Sequence, residues 1–78
     1  MTEQLQQKVC IVTGGSFGIG SAICQLFANK GYRVFNLDLH APTPILGEQS
    51  SNIQWLQCDV SQISQVQNAM QNVLALSP

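Results

Sequence analysis

Gly14, Gly18 and Gly20 stand four and two residues apart in the run VCIVTGGSFGIGS, residues 9–21. The chemistry this spacing serves is anion binding. A turn that feeds a helix presents unpaired backbone N–H groups and the positive end of the helix dipole, and both favour a phosphate. A side chain at such a turn would hold the phosphate away; glycine removes the Cβ and permits positive φ. Gly14 suits the tight turn out of a strand, Gly18 the close approach of a pyrophosphate, and Gly20 the packing of helix on sheet. A P-loop needs Gly-x-x-x-x-Gly-Lys-Ser/Thr. Gly15 and Gly20 have that separation, but Ser21 stands where the lysine must be. The pattern Gly-x-Gly-x-x-Gly fails as well, because Ile23 fills its third glycine position. What remains is a dinucleotide site with a longer first turn. Asp38 lies eighteen positions after Gly20, near the ~20 residues expected of a carboxylate that hydrogen-bonds an adenosine ribose.

Elements must place these residues. Val9–Val12 is a continuous apolar, β-branched run, the pattern of a strand buried on both faces of a parallel sheet. From Ser16 the period changes. Ile19, Ala22, Ile23, Leu26 and Phe27 form one apolar helical stripe. Gly31 can take a left-handed cap after that helix, and Lys30 suits the negative end of its dipole. Residues 32–38 read as a second strand. Residues 39–52 hold Pro42, Pro44 and Gly47 and read as loop. Residues 53–58 read as a third strand. Ser61, or Asp59, can cap a last helix whose stripe is Ile63, Val66, Met70, Val73 and Leu74. The order β-α-β-loop-β-α predicts an α/β chain with a parallel sheet, in a Rossmann-like three-layer fold that is an incomplete half of a doubly wound domain.

Composition narrows the function. The chain has 78 residues, room for one small domain with a thin stability margin. Its charged fraction of 9% is low beside the roughly 25% usual for soluble domains, and glutamine recurs instead. Net charge is −1 and the three cations, Lys8, Lys30 and Arg33, are scattered, so no basic footprint for nucleic acid exists. The start MTEQLQQK lacks the apolar core of a signal peptide, and no run approaches the ~18 apolar residues of a spanning helix. Cys10, Cys24 and Cys58 have no metal-site spacing and read as small buried hydrophobes in a reduced, cytoplasmic setting. His40, the only histidine, has no partner at ligand spacing and reads as solvent-exposed. Trp55 reads as a strand aromatic packed on a helix.

Thr13-Gly-Gly-Ser-Phe-Gly-Ile-Gly20 matches Thr-Gly-x-x-x-Gly-x-Gly in full. It resembles the cofactor motif of the short-chain dehydrogenase/reductase family. The resemblance covers nearly the whole chain, but only the first third or so of a typical family member. It implies cofactor contacts from Gly14, Ser16, Phe17, Gly18, Ile19, Gly20, Asp38, Leu39, Asp59 and Val60. In the family, an Asp at the place of Asp59 contacts the adenine amino group, and the residue after it contributes its backbone. NAD is expected over NADP. Asp38 would repel a 2′-phosphate, and uncharged Phe17 and Leu39 stand where NADP-preferring members carry cations. The resemblance further implies a fourth strand beside the first, then a catalytic Ser and a Tyr-x-x-x-Lys pair, and none of these is in the chain. Tyr32 is followed four residues on by Asn36, so no catalytic residue is assigned. The expectation is therefore an N-terminal dinucleotide-binding segment, residues 1–78, of a longer oxidoreductase. The small-molecule substrate would be met only in the complete enzyme, which could be a homo-oligomer. The alternative is a non-catalytic nucleotide-binding module, or an interaction module that offers its strand edge to a partner.

Overall fold

The structure, a computed structural model, describes residues 7–42 and 52–77. Its elements run β1 (Val9–Thr13), α1 (Gly18–Asn29), β2 (Arg33–Asp38), β3 (Ile53–Gln57) and α2 (Ile63–Leu76). The three strands are parallel, in the order β1-β2-β3. Cys10 pairs with Val34, Thr13 with Leu37, and Asp38 with Gln57, so all three strands finish at one end of the sheet. Pro44 and Gly47 of the expected loop lie outside the described residues.

Side chains alternate along β2, and the two faces bury separate clusters. Val34 joins Val12, Cys24 and Ala28 beneath α1. Phe35 and Leu37 join Cys58, Ala69 and Val73 beneath α2. The sheet thus has a helix on each face, the expected three layers. Among the described strands β2 is the one buried on both faces, with Val34 and Asn36 on one and Phe35 and Leu37 on the other.

Strand β1 is a correction. Among the described residues it pairs only with β2, and Val9 and Ile11 remain 38% and 39% exposed. A continuous apolar run tells that a strand is meant to be covered on both faces, not that the chain supplies both covers. The α1 stripe is corrected too. The helix meets the sheet through Cys24 and Ala28, with Phe27 half-buried, while Ile19 is 82% exposed and Ile23 and Leu26 are exposed. Small residues at Gly20, Cys24 and Ala28, spaced by four, let the helix axis lie close to the strands, so the larger side chains flank the contact. Helix α2 buries Ala69 and Val73 and half-buries Val66 and Met70, but Ile63 is 77% exposed and Leu74 is exposed. Neither Ser61 nor Asp59 caps it: the helix begins after Gln62 with no side-chain cap. Helix α1 stops at Asn29, leaving Lys30 as the cap itself and Gly31 at φ +91°.

The thiols of Cys10, Cys24 and Cys58 are free; Cys24 and Cys58 are buried and Cys10 half-buried. Among the described residues no helix is long and apolar enough to cross a membrane.

Candidate functional site

Parallel strands deliver their following loops to a common edge, and the residues singled out from sequence gather there. Residues 14–20 follow β1, residues 38–40 follow β2, and Asp59-Val60 follow β3. The carboxyl end of an open parallel sheet is where such folds bind ligands.

The turn from β1 to α1 is tied at Gly14, Gly15 and Ser16. Gly14 donates its N–H to the Leu37 carbonyl at 3.0 Å, extending the sheet ladder by one residue. Its φ of +69° is the left-handed conformation that bends the chain out of the strand. Gly15 donates its N–H to Asn36 Oδ1 at 2.8 Å, and its carbonyl faces the Cys24 thiol at 3.8 Å. Ser16 is buried, and its N–H goes to Asp38 Oδ2 at 3.1 Å. Phe17, extended and exposed, precedes the helix without capping it. Gly18 opens α1 at φ +58°, and a Cβ there, as at Gly14, would meet nothing within 4 Å. A Cβ on Gly20, by contrast, would overlap the Gly14 carbonyl oxygen, so the first helical turn lies directly on the turn before it.

The helix end is electrostatically open. Among the described residues no side chain caps it, and its first turn carries no acidic residue. Ser21 is the first residue whose N–H returns into the helix, to the Phe17 carbonyl at 3.3 Å. The N–H groups of Gly18, Ile19 and Gly20 carry the partial positive charge of the helix end and have no intrahelical acceptor. A group that fits here is small, anionic and rich in acceptors, and the bare Cα atoms of Gly14 and Gly18 leave room for it.

Asp38 closes one side of this space. Its Oδ1 accepts the His40 N–H at 3.1 Å and its Oδ2 that of Ser16. The His40 backbone hydrogen bond, with lesser help from Ser16, holds the carboxyl below its ordinary range against the opposing effect of desolvation. The Asp38 carbonyl is fixed from β3 by Trp55 Nε1 at 2.9 Å and the Cys58 N–H at 3.1 Å. Each carboxylate oxygen has a second lone pair, so Asp38 can still accept from a hydroxyl. Leu39 and His40 are exposed, as expected of His40.

Across the sheet end, Asp59 Oδ1 accepts the Ser61 hydroxyl at 2.6 Å and the Ser61 N–H at 3.0 Å, and the hydroxyl chiefly lowers its pKa. Gln65 Oε1 accepts the Asp59 N–H at 2.8 Å. Val60 is exposed beside it. No cluster of His, Cys, Asp or Glu able to hold a metal occurs among the described residues. Tyr32 lies at the far end of β2, its ring edge-on to Phe27 with 5.0 Å between centroids, remote from this edge.

Three residues of the site were not read as site residues from sequence: Asn36, Gln65, and Trp55, which was expected only as a strand aromatic packed on a helix and whose indole N–H instead holds the Asp38 carbonyl. Asn36 did carry a signal, because an amide at the centre of the buried strand RVFNLD must have partners. The Trp55 and Gln65 bonds depend on how the loops after β2 and β3 fold back, and spacing alone does not encode that.

The sequence model described as short chain dehydrogenase matches residues 8–77. The mouse (Mus musculus) 3-oxoacyl-[acyl-carrier-protein] reductase is 41% identical over 68 residues, 85% of this chain and 29% of that protein. The sex determination protein tasselseed-2 of Zea mays is 41% identical over 75 residues, 90% of this chain and 21% of that one. The ligand-free aldohexose dehydrogenase of Thermoplasma acidophilum superposes with a TM-score of 0.76 at 33% identity, covering 90% of this chain and 25% of its own. The chain thus spans under a third of the length of these relatives.

Proposed function

The chain belongs to the short-chain dehydrogenase family, and on that premise we propose that its sheet edge binds the adenosine diphosphate half of NAD. The carrying observation is the direct bond from Ser16 in the glycine turn to the Asp38 carboxylate. It sets a hydroxyl acceptor beside an anion cradle, and in a dinucleotide the ribose adjoins the pyrophosphate in the same way. In this reading the N–H groups of residues 18–20 receive the pyrophosphate, with Gly14 and Gly18 leaving it space and Ser16, Phe17 and Ile19 lining the approach. Asp38 accepts the ribose hydroxyls beside Leu39. Asp59 and the Val60 backbone flank the adenine.

Asp38 also favours NAD over NADP. Its charge opposes a 2′-phosphate, and it already occupies the Ser16 and His40 N–H groups that could have received one. When bound, the nicotinamide supplies hydride transfer between the cofactor and an alcohol or carbonyl. Residues 7–42 and 52–77 would hold the cofactor's other end, and the proton-transfer groups would come from elsewhere in a complete enzyme.

A fluorescence titration tests this, with Trp55 as the probe next to Asp38. NAD and ADP are expected to change the emission saturably, with NADP binding at least tenfold more weakly. Equal affinity for NADP, or no competition between ADP and NAD, would overturn the assignment. A second reading, strand addition by a partner, is favoured only by the edge of β1, which no other described strand covers.

A further inference from the structure

We infer that Asn36 is the positioning residue of the phosphate turn, holding it at a set distance from the ribose carboxylate before any cofactor arrives; this rests on the dinucleotide reading above. Asn36 lies in the middle of β2 and is 1% exposed. A carboxamide buried there costs stability unless its polar atoms are bonded. Both bonds go to one place. Oδ1 accepts the Gly15 N–H at 2.8 Å, and Nδ2 donates to Ser16 Oγ at 3.0 Å.

The direction of these bonds is forced. The Ser16 hydroxyl reaches the His40 carbonyl at 2.6 Å, and a carbonyl can only accept. The hydroxyl therefore donates to His40 and accepts from Asn36, which requires the amide nitrogen on that side. The Gly15 N–H can only donate, so it requires the amide oxygen. One side chain from β2 thus joins the turn after β1 to the rim after β2. Ser16, held by its hydroxyl, directs its own N–H to Asp38.

The joint has no slack. A Cβ on Gly15 would stand 2.6 Å from Asn36 Oδ1 and 2.7 Å from Cys24 Sγ. Leucine has the same branching as asparagine but neither donor nor acceptor. In its place the Gly15 N–H would lose its acceptor and the Ser16 hydroxyl the donor it accepts from, and the turn would have to shift to replace them. Aspartate keeps the acceptor for Gly15 but cannot donate to Ser16, whose hydroxyl would turn away from His40.

The test uses the full-length protein and its Asn36→Leu, Asn36→Asp, Ser16→Ala and Asn36→Leu/Ser16→Ala variants, titrated with NAD, ADP and adenosine. Asn36→Leu is expected to weaken NAD and ADP roughly tenfold or more, with adenosine changed less than about threefold, because only the diphosphate depends on the turn. Asn36→Asp should show a smaller loss of the same kind, and it serves if the leucine variant does not fold. Adding Ser16→Ala to Asn36→Leu should cost less than Ser16→Ala costs alone, since the two share one network. A folded Asn36→Leu or Asn36→Asp variant with unchanged ADP affinity would overturn the inference, as would an equal loss for adenosine, the mark of a merely structural role. Wild-type protein that binds neither NAD nor ADP would instead overturn the dinucleotide reading itself.

Discussion

Position 18 admits almost nothing but glycine. Its φ of +58° disfavours any β-branched residue by about 1–2 kcal/mol, and the space above it is where the diphosphate is proposed to lie. Gly18→Val is expected to abolish NAD binding, read by titration, while strand β1 persists in circular dichroism. Asp38→Ala removes the hydroxyl acceptor and releases the Ser16 and His40 N–H groups together. A loss of about 1–3 kcal/mol in NAD affinity is expected, with discrimination against NADP reduced. The Asp38 carboxyl has its pKa lowered on folding, so its contribution to stability is complete above the unfolded value of about 3.9 and fades as pH falls through the folded one. Melting curves should therefore show no Asp38-dependent change between pH 5 and 8, and the wild type and Asp38→Ala should converge only in stronger acid.

At the scale of elements, the contact between α1 and the sheet is made by small residues, and it separates two kinds of substitution. Gly20→Ala drives a Cβ onto the Gly14 carbonyl. It is expected to cost roughly 1–3 kcal/mol in chemical denaturation, as overpacking does. Ile19→Ser changes the most exposed large apolar residue of the helix and should stay within about 0.5 kcal/mol. The apolar period of residues 19–27 located the helix correctly but pointed to the wrong face. Periodicity registers which positions are large and apolar, whereas close packing here selects which are small. The glycine turn between β1 and α1 and the place of Asp38 at the end of β2 were legible, because each follows from a backbone requirement tied to fixed spacing. The Asn36 joint was legible only as an unexplained buried amide. The bracing of Asp38 by Trp55 and of Asp59 by Gln65 and Ser61 was not legible, since it depends on loop paths. Ser61 has the residue type of a helix cap, yet it serves the Asp59 carboxylate instead.

At the scale of the molecule, the described sheet ends at an apolar edge. Val9 and Ile11 face outward on β1, and an uncovered edge of this kind invites pairing with other chains. The 78-residue chain in isolation is expected to self-associate in sedimentation experiments. Ile11→Lys should reduce that association without altering nucleotide affinity, because Ile11 lies on the edge strand and outside the turn. A fold with strands ending in register and a helix on each face gathers three loops at one edge, the edge at which the dinucleotide is proposed to bind.

The most direct measurement is a backbone amide NMR titration with NAD. The largest shifts are predicted at residues 14–20, with smaller ones at Asp38 and at Asp59-Val60, and ADP should reproduce the pattern. Shifts concentrated instead at the opposite end of the sheet, around Gly31 and Tyr32, would contradict the account.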